Sequence, residues 1–352
     1  AAAEGEAAAR RRFSGRGFAS GLAGAAVLAS GARHCGLRRL ERRRGRAQKP
    51  QLRATKTLER EEADKRREAA VKETLEMATP VPQSFEQAVS WACSASIIAA
   101  EAGQMRQSMY FDTGSGDVEV GGDLGGVLPF AESFAKTLVQ AEALEGGSVT
   151  VLFTDMGAAA MCSSRWEPLP EGLKVEYPPQ ILRGKEELLG VEERKKFEEI
   201  LKSEFIVLVT PTQNELPSLL AMLKIMKDQG REVPIVLLNA KLVRNTYIAA
   251  GTLLKSARDL EKTLVPTFHL EQYDPEETEE ATNSAVICRA WPRPYSLWED
   301  NPDDPEAIDG FFLLDVNDEN AQDGDTVRDL LKASMDIAEK WKQMEIRKAK
   351  EG

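Results

Sequence analysis

The sequence predicts a three-layered α/β domain, in which helices cover both faces of a mostly parallel sheet. Three short runs, 148–154, 205–210 and 234–238, are rich in Val, Ile, Leu and Phe and show no polar alternation. Such runs are typical of strands that are buried on both faces. The intervals between them carry helix signals, and strands alternating with helices give parallel pairing through right-handed crossovers.

Local signals place the helices of this Rossmann-like arrangement. Ser84 and Gln87 form a capping-box pattern that opens an Ala-rich apolar helix, which Gly103 can close. Thr212 and Glu215 form a second capping box, followed by a Leu stripe and Gly230. A further helix is predicted near 129–144. Further strands are predicted at 105–111, 285–290 and 310–316.

The charge distribution divides the chain into four regions. Residues 1–53 hold 13 Lys and Arg against three acids, which leaves 33 basic and 54 acidic side chains in the rest of the chain. An acid-poor, Arg- and Ala-rich segment without a core pattern has the composition of an organelle transit region, and we interpret residues 1–53 as a disordered, plastid transit-type leader. Residues 54–79 are predicted as a charged helix or linker, 80–320 as the α/β domain, and 321–352 as a C-terminal amphipathic helix.

Composition argues against several functional classes. A net charge of -11 disfavours nucleic-acid binding, although the basic leader could serve as a nucleic-acid-binding tail if it is retained. No apolar run approaches the ~18 residues that span a bilayer, so at most a peripheral membrane association is expected. Cys35, Cys93, Cys162 and Cys288 form no C-x-x-C pair, and only two histidines accompany them. We expect buried, unreactive thiols, with no metal and no cofactor.

A first candidate site follows the central strands, because ligands collect at the carboxyl ends of the strands in doubly wound sheets. Asp155 and Gly157 follow the first buried run, Thr212 follows the second, and Asn239 follows the third. A carboxylate and free helix N–H groups can hold a ribose, a metal-bound water or an anion. The alternative is that Asp155 caps a helix and Asn239 closes a turn.

The sequence nominates no catalytic residues. It lacks G-x-S-x-G, and His269 is the only histidine of the predicted domain. The Gly-rich stretch 113–128 lacks the G-K-[ST] ending of a phosphate-binding loop and contains acids that would repel phosphate. These absences favour a non-enzymatic protein and leave the question of activity open.

A second candidate site lies in the segment 289–298, which combines two tryptophans, two arginines and two prolines. Tryptophan and arginine are enriched at binding hot spots. We therefore interpret Arg289, Trp291, Arg293 and Trp298 as partner-binding residues. The alternative is a strand and turn whose tryptophans pack over the edge of the sheet.

The order of several motifs resembles a known family. These motifs are FTDMGAAA at 153–160 with Trp166, PIVLLN at 234–239, and RAWP at 289–292 with Trp298. Together they are similar to a plastid and cyanobacterial domain of unknown function, found in "low photosystem II accumulation" assembly factors and at the C-terminus of a chloroplast adenylate kinase. The resemblance covers Pro80 to Val316. Two features depart from the pattern: the Gly-rich acidic insertion after Phe111 and the acidic stretch 274–283.

The resemblance implies a location in the chloroplast stroma or on the stromal face of the thylakoid, and it carries over no catalytic residue. Our first hypothesis is a non-enzymatic plastid protein that binds a photosystem subunit or assembly factor. The second is a domain that binds or converts a nucleotide or phosphometabolite at the strand ends.

Overall fold

The computed structural model describes residues 65–66, 69–112, 126–141, 144, 147–181, 190–243, 252–273, 284–300, 310–318, 320–321, 326–327 and 329–334. The predicted leader, 1–53, and the end of the predicted last helix, 335–352, lie outside these residues. Contacts divide the chain into two units, Ala1–Lys72 and Glu73–Gly352. The described residues of the first unit, 65–66 and 69–72, are helical. All elements below belong to the second unit.

Six labelled helices and nine strands alternate along this unit. The helices are α1 (Phe85–Glu101), α2 (Val127–Val139), α3 (Met156–Arg165), α4 (Val191–Ile200), α5 (Leu216–Asp228) and α6 (Thr252–Glu261). The strands are β1 (Arg106–Asp112), β2 (Val149–Leu152), β3 (Leu173–Glu176), β4 (Phe205–Val209), β5 (Ile235–Leu238), β6 (Val265–Tyr273), β7 (Ala285–Ala290), β8 (Tyr295–Asp300) and β9 (Phe311–Asn317). Helical residues at 73–77 precede them, and helical residues at 326–334, with 328 left aside, follow them.

All nine strands form one sheet in the order β3-β2-β4-β5-β1-β6-β7-β8-β9. The strands from β3 to β6 in this order pair in parallel, and β6 to β9 pair antiparallel. The predicted α/β class with a mostly parallel sheet is therefore confirmed. Its antiparallel extension creates a turn between β7 and β8 beside the amino end of β6, because β7 runs opposite to β6.

Helices cover both faces of the sheet, as predicted. The first face packs against α1, α2 and α3, where Phe130, Phe134 and Leu138 of α2 are fully buried. The second face packs against α4, α5 and α6, and also against the helical residues 326–334 over the antiparallel strands. The runs in β2, β4 and β5 lack polar alternation because both sides of these strands are buried.

The boundary signals of α1 are confirmed. The Ser84 hydroxyl accepts from the Gln87 backbone N–H at 3.2 Å. At the other end Gly103 adopts a φ of 82°, and the Gln104 N–H donates to the Ala99 carbonyl at 2.8 Å. A left-handed residue is the common helix terminator, and glycine adopts that conformation without a steric penalty.

Sequence patterns predict no separate strand at β3, β6 or β8. Two of the four residues of β3 are charged, and its position at the sheet edge explains why it lacks an apolar run. In β6, Phe268 and Leu270 face the first core, whereas His269 and Glu271 face the other side. This alternation is typical of a strand whose two sides differ in environment.

Candidate functional site

Strands β2, β4 and β5 are neighbours in the sheet, so the residues that follow them share its carboxyl-end edge. The structure therefore brings Asp155, Thr212 and Asn239 to one edge, as the first candidate site requires. The hydrogen bonds that these side chains already make within the protein determine whether they can bind a ligand.

Asp155 caps helix α3. Its carboxylate accepts from the Ala158 backbone N–H at 2.9 Å, and its backbone is extended, as an N-cap requires. A Cβ on Gly157 would lie 3.1 Å from Oδ1 of Asp155, so a glycine leaves room for the cap. Both residues thus have a local structural role, although the Asp155 side chain is also exposed to solvent.

Thr212 and Glu215 form a reciprocal turn before α5. The Glu215 carboxylate accepts from the Thr212 N–H at 2.8 Å and from its hydroxyl at 2.7 Å. The Thr212 hydroxyl accepts from the Asn214 N–H at 3.2 Å. The predicted capping box is therefore present in part, because the hydroxyl bonds one residue earlier than in a standard box and the helix begins at Leu216.

Asn239 extends the pairing between β5 and β1. Its side-chain amide accepts from the Phe111 N–H and donates to the Phe111 carbonyl, both at 2.8 Å. Its own N–H donates to the Met109 carbonyl. The side chain is buried. Because it makes one donor and one acceptor bond to Phe111, it acts as an additional peptide unit in the strand ladder.

Two left-handed residues mark this edge, Thr210 with a φ of 48° and Asn239 with a φ of 49°. Such angles are uncommon outside glycine, especially for a β-branched residue. Beyond them the two strands pair again through Thr212 and Lys241. No sequence pattern indicates the conformation of Thr210. Taken together, Thr212 and Asn239 use their polar side-chain groups in local hydrogen bonds, and Asp155 accepts from the Ala158 N–H at Oδ1 and from the Thr154 hydroxyl, at 3.5 Å, at Oδ2.

An apolar cavity of about 450 Å³ also lies at the carboxyl-end edge, beside β1 and β6. Phe85, Phe111 and Leu270 line it together with Gln83 and Ser84. No cationic side chain is among its described lining residues. The cavity therefore lacks the charge complementarity that a phosphorylated ligand requires.

Within the second candidate site, Trp298 belongs to the core. Its side chain is 4% exposed, and its indole N–H donates to the Thr79 carbonyl at 2.8 Å. Cys288 also donates to that carbonyl, at 3.1 Å. Trp298 therefore packs within the domain, as in the alternative interpretation of this segment. The two hydrogen bonds to Thr79 hold the segment before α1 against strands β7 and β8.

Arg289 is 8% exposed and lies on the second face of the sheet, in a row with Tyr110, His269 and Tyr295. Its guanidinium lies 4.7 Å from the centroid of the Tyr295 ring and donates to the Asp318 carbonyl at 3.2 Å. Burial lowers the pKa of Arg289 and raises that of Tyr295. Its Nε has no hydrogen-bond partner among the described residues. Arg289 therefore faces away from Trp291 and Arg293.

Trp291 and Arg293 do come together, in the turn between β7 and β8. The Trp291 N–H donates to the Thr267 carbonyl at 2.8 Å, and the Arg293 N–H closes the turn on the Ala290 carbonyl at 3.0 Å. The Arg293 guanidinium donates to the Ala78 carbonyl at 2.8 Å. These bonds hold the turn beside the amino end of β6.

This turn forms one wall of a groove of about 290 Å³, which we call the tryptophan groove. The other wall is formed by α1, where Trp91, Ala95 and Ile98 lie at helical spacing. Ile98 is 44% exposed, and Trp91 and Trp291 are both partly exposed. Sequence reasoning missed Trp91 and Ile98, because about 200 residues separate them from Trp291.

The described thiols are buried, as predicted. Burial raises the pKa of Cys93 to about 12 and also raises the pKa values of Cys162 and Cys288. A protonated, inaccessible thiol is a poor nucleophile. Cys35 lies outside the described residues.

A search of the described residues finds no group of three or more His, Cys, Asp or Glu side chains arranged to hold a metal ion. None of the described helices is both long enough and apolar enough to cross a bilayer.

Comparison with protein families gives one match. Residues 82–314 match a family described as "Domain of unknown function (DUF1995)". No curated protein matches the sequence. The matched range contains every labelled helix, all of β1 to β8 and most of β9, together with both candidate sites. Because this range covers most of the chain, the protein belongs to the DUF1995 family of domains of unknown function.

Proposed function

We propose that this protein is a non-enzymatic auxiliary factor of the plastid, which binds a photosystem subunit or assembly factor through the tryptophan groove. The proposal rests on one observation: the partly exposed side chains of Trp91, Ile98 and Trp291 meet around one groove. A few buried residues, most often Trp, Tyr and Arg in well-packed pockets, contribute most of the binding energy of protein interfaces.

The groove also limits the chemistry of the partner. A volume of about 290 Å³ accommodates one or two large apolar side chains rather than a whole folded surface. Arg293 is exposed at the margin, and its remaining N–H groups can donate to a carboxylate or carbonyl. The proposed partner segment therefore presents a bulky apolar residue, with an acceptor beside it.

Two features support the plastid location and the link to photosystems. The first is the acid-poor, arginine-rich composition of residues 1–53. The second is the resemblance of the motifs at 153–160, 234–239 and 289–292 to the plastid assembly-factor domain. Membership of the DUF1995 family is compatible with this assignment and carries no activity of its own.

The competing proposal, a nucleotide or phosphometabolite site at the strand ends, has weaker geometric support. Asn239 and Thr212 use their polar side-chain groups locally, and the neighbouring cavity is apolar. Thermal-shift screening with nucleotides and sugar phosphates tests it. A ligand at 100 times its dissociation constant adds about 2.7 kcal/mol, so a shift of several degrees that Asp155→Ala removes would favour this competitor.

The direct test follows the tagged protein and its variants through native gels of plastid membranes and stroma. We expect the wild-type protein to migrate with photosystem assembly intermediates, and we expect Trp291→Ala and Ile98→Asp to lose this association. Val191→Asp is the matched control, because Val191 is 72% exposed on α4, on the opposite face of the sheet.

Melting temperatures close to that of the wild-type protein would show that the variants fold. The proposal fails if the wild-type protein enters no photosystem intermediate. It also fails if both groove variants associate as well as Val191→Asp does.

A further inference from the structure

A second cleft lies on the other face of the sheet, between helices α5 and α6. Its volume is about 530 Å³, and it opens at the amino ends of β1 and β5. Helix α5 contributes residues at positions 220, 223, 224, 226 and 227, and helix α6 contributes positions 256, 259 and 260. These spacings place the contributing residues of each helix on one face, so the cleft is a groove between two helices.

The floor of this cleft is apolar. Leu220 and Leu223 of α5 are partly buried, and Val233, Ile235 and Leu260 complete the floor as buried residues. A floor of this kind gains free energy when apolar side chains displace water from it. It gives no advantage to a purely ionic ligand.

The rim of the cleft is cationic. Arg106, Lys224, Lys227 and Arg231 are exposed around it, against two acids, Glu232 and Asp259. The described bonds of the two arginines go to neutral acceptors. Arg106 donates to the Thr263 hydroxyl at 3.3 Å, and Arg231 donates to the Lys202 carbonyl at 3.2 Å.

One of the rim acids already has a cationic neighbour. The Asp259 carboxylate lies 3.8 Å from the Lys262 ammonium group. The rim as a whole therefore carries an excess of positive charge. This local excess contrasts with residues 54–352 as a whole, which hold 33 basic and 54 acidic side chains.

We infer that this cleft binds an acidic, amphipathic segment of a partner protein, with its apolar side chains on the floor and its carboxylates against the four cations. A groove between helices that joins an apolar floor to a charged rim fits the helix-in-groove mode of peptide recognition. The occupant and the surface are complementary in charge, which speeds association and selects against basic partners. The site is separate from the tryptophan groove and does not depend on it.

Other anionic occupants fit less well. A nucleic acid presents a continuous row of phosphates, which the acidic chain as a whole would repel. A small phosphorylated metabolite has no apolar body to cover the floor. Of these three occupants, an acidic amphipathic peptide satisfies both the floor and the rim.

The test uses the full-length chain and a fluorescein-labelled synthetic peptide with Leu along one helical face and Glu on the flanking positions. Fluorescence anisotropy measures binding at low and at high salt. We expect saturable binding that weakens as salt rises, because exposed charges are screened beyond about 10 Å at ~0.1 M ionic strength. A peptide of the same composition in scrambled order, with no apolar face, is expected to bind at least about tenfold more weakly.

The double variant Lys227→Glu/Arg231→Glu is expected to weaken binding of the ordered peptide by about tenfold or more. The control, Arg194→Glu/Lys195→Glu, reverses the same number of exposed charges on α4 and is expected to bind like the wild-type chain. Thermal melting checks that both variants fold.

Three outcomes would overturn the inference. The first is equal binding of the scrambled peptide, and the second is an equal loss in the α4 control. The third is that single-stranded DNA or anionic lipid vesicles bind in a Lys227- and Arg231-dependent way while the ordered peptide does not.

Discussion

The two edges of the parallel strands differ in how their side chains are used. At the carboxyl-end edge, Asp155 caps a helix, Thr212 shares a turn with Glu215, and Asn239 continues a strand ladder. At the amino-end edge, the tryptophan groove and the cleft between α5 and α6 with its cationic rim, which we call the cationic cleft, leave apolar and charged side chains in contact with solvent. Doubly wound sheets usually bind ligands at their carboxyl ends. In this protein both surfaces that we propose as docking sites lie at the opposite edge.

The segments that connect the strands and helices explain why the two edges differ in exposed side chains. At the carboxyl-end edge, α3 begins only a few residues after β2, so Asp155 is needed to satisfy the N–H groups of the first turn. At the amino-end edge, the antiparallel β7–β8 turn extends the sheet beside α1 and supplies the second wall of the tryptophan groove. A sheet of parallel strands alone would lack this wall.

The largest loss of stability is expected from Trp298→Ala, and the neighbouring Trp291→Ala provides the comparison. Trp298→Ala should cost about 3–5 kcal/mol of the free energy of unfolding, because it empties a buried site and removes the bond to Thr79. Trp291→Ala should cost less than about 1 kcal/mol, because the side chain is partly exposed. Urea denaturation of both variants measures the difference. Equal costs would contradict the division between core and groove.

Asn239→Ala tests the carboxyl-end edge. It removes both side-chain bonds to Phe111 and leaves a residue with a Cβ but no side-chain bond at a φ of 49°. We expect a loss of about 2–3 kcal/mol by chemical denaturation. Asn239→Gly should be less damaging by about 1 kcal/mol, because glycine adopts this conformation readily. If both variants melt like the wild-type chain, Asn239 does not hold the edge together.

The ionisation of the buried Cys93 thiol reports whether the core side of α1 stays intact when the exposed residue Ile98 of the same helix is replaced. Because folding raises the pKa of Cys93 to about 12, the native thiol stays protonated where the unfolded thiol ionises. The stabilisation is present below the ordinary pKa of ~8.5 and is lost above it, by up to about 1.4 kcal/mol per pH unit for one thiol. Denaturation of the reduced protein between pH 8 and 10 measures this slope.

Cys93→Ala should reduce the slope, whereas Ile98→Asp should preserve it and keep Cys93 protected from thiol reagents. A reactive Cys93 in native Ile98→Asp would mean that the groove variant disturbs the core.

Asp155→Ala is expected to have a smaller effect than Trp298→Ala or Asn239→Ala. Loss of the α3 cap should cost about 1 kcal/mol, and Asp155→Ser should recover most of it. Differential scanning calorimetry of the two variants measures the change. A failure of serine to restore stability would show that the Asp155 charge has a role beyond capping.

Sequence patterns predict six of the nine strands, in both the parallel and the antiparallel part of the sheet, and miss β3, β6 and β8. The runs in β2, β4 and β5 identify their strands within about two residues, because strands buried on both sides leave an unmistakable apolar signal. Strand β6 contains Pro266, His269 and Glu271, and its environment differs from one side to the other. A single apolar scale does not detect such a strand.

The site residues divide in a similar way. Caps such as Asp155 can be predicted because the donor and acceptor are three residues apart. The tryptophan groove joins position 98 to position 291, and the cationic cleft joins position 106 to position 231. Only the strand order brings these positions together, and a single sequence does not specify it.

Site-specific photo-crosslinking tests the importance of the amino-end edge most directly. A photoreactive amino acid replaces Ile98 in the tryptophan groove or, as a matched exposed position, Met156 at the carboxyl-end edge, which is 64% exposed. Our account predicts that position 98 crosslinks to a photosystem subunit or assembly factor in intact plastids and that position 156 does not. Crosslinks to such a protein from position 156 alone would contradict it.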